Sequence, residues 1–275
     1  TQKIFKKKRI EIMAGHLLEG KRALVTGASS GLGTEFAKQL ASYRCHLVLV
    51  ARREEPMKFL QKELAEKHSI EVDVIAMDLA TPESPQKLYD LLKQQGKTVD
   101  VLINNAGFGV FGDFLSVPWE RQKQMMDLDM ITLVHLTKLF AQEMVDRKFG
   151  YILQVASIGA YQATPTYSTY SAAKSFVLLF GEALNYELRK TNVSCTVVSP
   201  GVTATEFLKV SGQKTTFYQR ILMMQSTEVV RIALKAMLKR RSSIIPGFLN
   251  ALITWSNRFM PRVLAPRIAY LVMKN

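Results

Sequence analysis

Seven short apolar, β-branched runs recur along the chain, at 21–27 (KRALVTG), 46–52 (HLVLVAR), 71–78 (EVDVIAMD), 99–107 (VDVLINNAG), 150–157 (GYILQVAS), 193–201 (VSCTVVSPG) and 242–247 (SSIIPG). Segments of helical period separate them, at 31–43, 55–67, 83–95, 119–148, 168–190 and 226–240. Several runs are apolar on both faces, as in strands covered on both sides. The order predicts an α/β fold: a doubly wound parallel sheet with helices on both faces and right-handed crossovers. The 275 residues suit one large domain of this kind. No repeat, low-complexity tract or Gly/Ser/Pro linker divides the sequence, so 20–247 reads as the body, 1–19 as a basic extension and 248–275 as a tail. Two stretches break the rhythm. Residues 204–225 form a long insertion rich in Phe, Tyr, Leu and Met, and the tail holds Pro261 and Pro266, which permit only short helices.

The first strand runs directly into Thr26-Gly27-Ala28-Ser29-Ser30-Gly31-Leu32-Gly33 and then a helix. Glycines there allow a tight turn and a close backbone approach to a pyrophosphate, while the helix start offers free N–H groups and a positive dipole end. A glycine triplet alone is a weak signal, but its place between a first strand and a helix is a much stronger one. Dinucleotide sites place an acid at the end of the second strand for the ribose 2′-hydroxyl. Here that strand ends Val50-Ala51-Arg52-Arg53. A planar guanidinium matches a 2′-phosphate, so Arg52 favours NADP over NAD. Solvated loop arginines are the competing reading, and Arg53 is left open.

Tyr170 and Lys174 are four residues apart on a predicted helix and share one face. An ammonium near a phenol favours the phenolate and lowers a tyrosine pKa from its reference of about 10. Such a tyrosine can give or take a proton near neutral pH. Ser157 ends the fifth strand, at the edge where ligands of such sheets bind, and its hydroxyl can hydrogen-bond a carbonyl. A Tyr-x-x-x-Lys pair is common by chance on exposed helices, and it gains meaning from Ser157 and the glycine turn.

With these residues in order, the sequence resembles the short-chain dehydrogenase/reductase family in its shorter single-domain form. The motifs are TGASSGLG at 26–33, Asp78, Asn104-Asn105-Ala106-Gly107, Ser157, Tyr170-x-x-x-Lys174 and Pro200-Gly201, spanning about residues 20–247. The resemblance implies a seven-stranded Rossmann sheet and hydride transfer between NAD(P) and a carbonyl or alcohol. It further implies that Gly27, Ser29, Ser30, Gly31, Leu32 and Gly33 surround the cofactor phosphates and ribose. Asp78 and Leu79 would touch the adenine, and Asn105, Ala106 and Gly107 would lie by the adenosine ribose. Pro200, Gly201 and Thr203 would lie against the nicotinamide, with Thr205 near the pyrophosphate. Tyr170 would be the general acid in reduction, Lys174 would lower its pKa and hold the nicotinamide ribose, and Ser157 would polarise the carbonyl. One departure is Asp129, in MMDLDMITLVHLT, where the family usually carries an asparagine that completes a tetrad through its backbone carbonyl. Any residue supplies a carbonyl. The lost amide donor calls the local helix geometry into question, and a carboxylate adds negative charge near Lys174.

The substrate side is less defined. Phe207, Leu208, Phe217, Tyr218, Ile221, Leu222, Met223 and Met224 would give the 204–225 lid a flexible apolar wall, suited to a hydrophobic ketone or alcohol. Core packing by the same residues is the bland alternative. Lys plus Arg is 37 against 23 Asp plus Glu, a net charge of +14 that favours anionic partners. The excess gathers at the ends: Lys3, Lys6, Lys7, Lys8 and Arg9 near the start, and no acid after Glu228. No stretch approaches the about 18 apolar residues of a membrane span. No signal peptide is evident, and Met13 could be the initiator, making 1–12 an upstream extension. Cys45 and Cys195 sit in apolar runs and read as free buried thiols of a reducing cytosol. The expectation is a cytoplasmic NADP(H)-dependent carbonyl reductase with no metal, a homodimer or homotetramer through 119–148 and 168–190. Alternatives are a 3-oxoacyl reductase on a carrier-protein or CoA thioester, and a cofactor-binding interaction protein without turnover. The apolar, arginine-bearing tail suits peripheral contact with an anionic bilayer, a subunit interface or ordinary packing. Nucleic-acid binding has charge alone in its favour and is not expected.

Overall fold

A computed structural model describes residues 16–203, 210–213 and 222–273. Seven strands form one sheet in the order β3-β2-β1-β4-β5-β6-β7. They are β1 (Arg22–Thr26), β2 (His46–Ala51), β3 (Val72–Ala76), β4 (Val101–Asn104), β5 (Gly150–Val155), β6 (Val193–Val198) and β7 (Ser243–Ile244). Every pairing is parallel. The chain starts in the middle of the sheet, winds outward to β3, and returns past β1 to β4. Strand order therefore reverses between β1 and β4, and a crevice opens there at the carboxyl ends of the strands.

Helices α1 (Gly31–Ser42), α2 (Glu54–His68), α3 (Ser84–Gln94), α4 (Trp119–Met126), α5 (Leu133–Asp146), α6 (Ser168–Glu187) and α7 (Ser226–Leu238) fill the crossovers. β1, β4, β5 and β6 are buried almost throughout, which explains their apolar sequences. Their alternate side chains feed two cores. One includes Val25, Leu47, Leu49 and Ile103 with Phe36 of α1 and Leu234 of α7. The other includes Leu24, Val48, Val50 and Leu102 with Leu88 of α3 and Phe140 of α5.

One feature differs from the expected pattern. The single helix expected over 119–148 is interrupted by a π-helical segment, Asp127–Thr132, between α4 and α5. Such a segment widens one turn and often marks a functional position; this one contains Asp129. The tail, expected to form short helices, forms α8 (Phe248–Ser256) and α9 (Leu264–Met273). Pro261 lies between them, and Pro266 sits in the first turn of α9, where no intrahelical N–H bond is lost.

Cys45 and Cys195 are free and buried. Burial pushes both thiols up to about 12 from 9.0. In the unfolded chain they ionise near their ordinary value, so the stability that depends on their protonated form is fully present below pH 9 and declines as pH rises toward 12. Thermal midpoints measured across that range should fall, and less steeply in Cys195→Ala. A midpoint with the same pH dependence in that variant would contradict the assignment.

Candidate functional site

The crevice is a cavity of about 640 Å³, running from the glycine turn across the ends of β1, β4, β5 and β6 to the tail helices. That size holds an extended ligand. Gly27, Ser29, Ser30 and Leu32 form one end, with Arg52, Asp78, Leu79, Asn105, Ala106 and Gly107 beside them. Ser157, Tyr170, Lys174, Pro200, Gly201 and Thr203 line the other part. Thr205 lies outside the described residues, as do Phe207, Leu208, Phe217, Tyr218 and Ile221.

The glycine end is built for close approach. Gly27 has a φ of +67°. A Cβ on Gly33 would fall 2.0 Å from the Gly27 carbonyl oxygen, so the turn closes tightly on α1 without side chains. Gly31 opens α1 and Gly33 packs behind the turn; neither lines the cavity. The Ser30 side chain makes no capping bond and the first turn of α1 holds no acid, leaving a positive helix end facing the cavity. Thr26 and Asn105 brace this wall: Thr26 Oγ1 accepts from the Asn105 and Ala106 backbone N–H groups, and Asn105 Nδ2 donates 2.9 Å to the Thr26 carbonyl. The Asn105 amide thus holds β1 to β4 as well as facing the cavity. β2 ends at Ala51, a small residue that leaves room beside exposed Arg52 and Arg53. Arg53 Nη2 donates to the Ser29 carbonyl at 3.4 Å, drawing it across the turn.

The residues present fit a nicotinamide dinucleotide. The open helix end and the tight glycine turn suit a pyrophosphate, and the two guanidiniums suit a further phosphate on the adenosine side.

At the other end, Ser157 follows β5 in extended conformation and starts a 3₁₀ turn, its Oγ accepting from the Gly159 N–H at 3.1 Å. Tyr170 lies in the first turn of α6 and Lys174 one turn on, both buried. The Tyr170 hydroxyl is hydrogen-bonded to Ser157. Lys174 Nζ lies 5.7 Å from the Tyr170 ring centroid, donates 3.1 Å to the Val155 carbonyl, and sits 2.9 Å from Asp129 Oδ2. The contact to Oδ2 is a buried ion pair. Asp129 Oδ1 accepts from the Phe108 N–H at 3.1 Å. A Cβ on Gly107 would come within 2.8 Å of that oxygen, so glycine makes room for the carboxylate.

Two expectations change here. Asp129 is 0% exposed and does not reach the cavity; it lies behind Lys174 and Gly107. Tyr170 has its pKa raised, not lowered. Burial is the main cause, the Asp129 carboxylate adds to it, and the Ser157 hydrogen bond partly offsets it. The Lys174 charge is spent on Asp129. The Asp129 pKa is itself raised by burial, against the opposing pull of Lys174 and the Phe108 N–H.

Several cavity residues carried no local sequence signal. Tyr167, just before α6, donates its O–H to Gln213 Oε1 at 3.0 Å and accepts from Ser211 Oγ at 2.9 Å, tying residues 210–213 to the site. Thr254, Asn257, Met260 and Ala269 reach the cavity from the tail. Asn250 of α8 packs against Gly201, where a Cβ would approach its Nδ2 to 2.5 Å. Fold alone brings these residues to the site.

A family model described as short chain dehydrogenase matches residues 21–216. The chain belongs to the short-chain dehydrogenase family. It is 38% identical over 185 residues to a very-long-chain 3-oxoacyl-CoA reductase of Pyricularia oryzae, covering 66% of this chain and 55% of that protein. It is 30% identical over 193 residues to a 7beta-hydroxysteroid dehydrogenase of Mediterraneibacter gnavus, covering 69% and 71%. Thus the chain spans little more than half the length of the first of these relatives. Among solved structures, a short-chain dehydrogenase from Sphingobium yanoikuyae in complex with NADPH aligns with a TM-score of 0.78 at 28% identity, covering 87% of this chain and 95% of that one. The chain shares the seven-stranded parallel fold of this solved neighbour.

Proposed function

We propose that the protein is an NADP(H)-dependent reductase of a hydrophobic ketone, running in reverse as a secondary-alcohol dehydrogenase. The observation that carries this reading is the Ser157–Tyr170 hydroxyl pair on the cavity wall, one turn from buried Lys174, at the opposite end from an acid-free helix terminus beside two arginines. The nicotinamide supplies the hydride in reduction and takes it in oxidation. Ser157 donates a hydrogen bond to the substrate carbonyl and orients it. Tyr170 gives its proton to the oxygen as negative charge develops there, and its raised pKa keeps that proton in place until then. Lys174 holds the nicotinamide ribose, and Asp129 fixes the lysine by the 2.9 Å ion pair. Gly27, Ser29, Ser30 and Leu32 form the pyrophosphate cradle, closed from behind by Gly33, with Asp78, Leu79, Asn105, Ala106 and Gly107 on the adenosine side. Pro200, Gly201 and Thr203 support the nicotinamide ring. The relatives act, by name, on 3-oxoacyl-CoA and on a hydroxysteroid. Each presents an oxygen function on a large apolar frame, an acyl chain in one and a steroid nucleus in the other.

Arg52 is the proposed reader of the 2′-phosphate. Thermal stabilisation by NADPH should exceed that by NADH at equal concentration, because binding to the folded state adds RT ln(1 + [L]/Kd). Arg52→Ala should weaken NADPH by about tenfold or more, the scale of a lost charge-assisted contact, and leave NADH unchanged. An equal loss for both cofactors would place the arginine elsewhere.

A further inference from the structure

We propose that α8, α9 and the turn between them form a docking surface for an anionic lipid bilayer, and that apolar substrate enters the cavity from it. α8 is inverted relative to an ordinary surface helix, and α9 exposes Leu264, Ile268 and Leu271 beside it. The buried side of α8 carries the polar residues Asn250 and Thr254, whereas its outer side carries Phe248, Leu249, Leu252 and Trp255. Phe259 continues the stripe one turn on and packs edge-on against Trp255 at 4.9 Å between centroids. Phe248 is 80% exposed, Phe259 71% and Leu271, at the end of α9, 75%. Apolar residues at that exposure imply a surface that is covered in use.

Charge selects the covering. Exposed Arg258, Arg262 and Arg267 are interleaved with the apolar stripe, and none pairs with a carboxylate among the described residues. No acid occurs from residue 229 to the end of the sequence. A second copy docking by the same face would set these arginines against their own counterparts with no acid between them, which symmetric association disfavours. A bilayer with anionic headgroups meets both requirements, accepting aromatic and aliphatic side chains below the headgroups and guanidiniums among them. No described helix is long and apolar enough to cross a membrane, so the contact lies along the surface.

The face is continuous with the cavity. Ile268 is 47% exposed on the patch and also lines the cavity, while Thr254, Met260 and Ala269 line it from the inner side of the same elements. The entry route rests on reading that cavity as a site for apolar substrate; the docking does not.

The test uses the full chain with vesicles of phosphatidylcholine, with and without phosphatidylglycerol. The sequence holds two tryptophans. In Trp119→Phe the remaining one, Trp255, reports on the patch. Co-sedimentation with the anionic vesicles at low salt is expected, with a blue shift of Trp255 emission and quenching by brominated acyl chains. Leu252→Ala/Phe259→Ala should lower partitioning about tenfold or more. Each Arg→Gln change at 258, 262 or 267 should lower it about fivefold at low salt. None of these side chains lines the cavity, so reduction of a water-soluble ketone should be unchanged and serves as the folding control. Absence of co-sedimentation would overturn the proposal. So would co-sedimentation with unmoved Trp255 emission, which would locate binding on another surface such as the basic start. A Trp255 shift that follows protein concentration without vesicles would instead identify a second copy as the occupant.

Discussion

Tyr170→Phe should reduce turnover of any ketone substrate by about 10³-fold, within the range of a lost general acid. The phenyl ring is retained, and with it the packing: Tyr170 sits in a buried cluster with Phe108, Val110, Met125 and Tyr167, at 5.6 Å from the Tyr167 ring. Only the hydroxyl and its bond to Ser157 are lost. The stability cost should therefore be about 1 kcal/mol, the net worth of one hydrogen bond. NADPH binding, measured by thermal shift, should be nearly unchanged because Lys174 keeps its bonds to Val155 and Asp129. This combination separates a chemical role from a packing role. A phenylalanine variant retaining more than about a tenth of wild-type activity would remove Tyr170 from the proton-transfer step. The interaction-protein alternative is tested in the same assay, since it requires that wild type itself show no turnover on any apolar ketone or 3-oxoacyl thioester.

The fold was legible because its physics is local. Strands buried on both faces read as unbroken apolar runs such as HLVLVA at 46–51, and the helices between them keep a 3.6-residue period. The glycine turn and the Tyr170–Lys174 spacing were legible for the same reason: a tight turn and a shared helix face are set within a few residues. What sequence did not reveal depends on parts of the chain far apart. The ion pair that redirects Lys174 joins residues 129 and 174 through two elements. The Tyr167–Gln213 bond needs residues 210–213 brought back to the start of α6, more than forty positions away in sequence. The inversion of α8 is invisible until its core side is known, because a stretch such as FLNALITWS has apolar residues in every direction and its Asn250 and Thr254 could face either way. The π-helical turn at 127–132 had a partial signal in Asp127 and Asp129, two carboxylates in a stretch otherwise rich in Met, Leu and Ile.

Asp129 governs the second large effect. Two donors converge on its carboxylate, the Phe108 N–H on Oδ1 and the Lys174 ammonium on Oδ2. A carboxylate has two acceptor oxygens and serves both. An asparagine has one, so Asp129→Asn must turn its NH₂ toward one donor, at a cost of about 1–3 kcal/mol for the partner left unsatisfied. Asp129→Ala leaves a buried ammonium with the Val155 carbonyl as its remaining partner, and should cost about 3–5 kcal/mol. The functional consequence follows from charge. Tyr170 faces Asp129, Lys174 and the neutral Tyr167, and the carboxylate is the group among them that raises its pKa by charge. With asparagine in place, the Lys174 charge is no longer cancelled and the phenol ionises more easily. Reduction needs the protonated phenol and falls as pH rises through its pKa; oxidation needs the phenolate and rises there. Both limbs should therefore move to lower pH in Asp129→Asn, by about one unit or more. A merely structural aspartate would change stability and leave the profiles superimposed, so paired pH–rate curves with NADPH and with NADP, on wild type and Asp129→Asn, decide between the two.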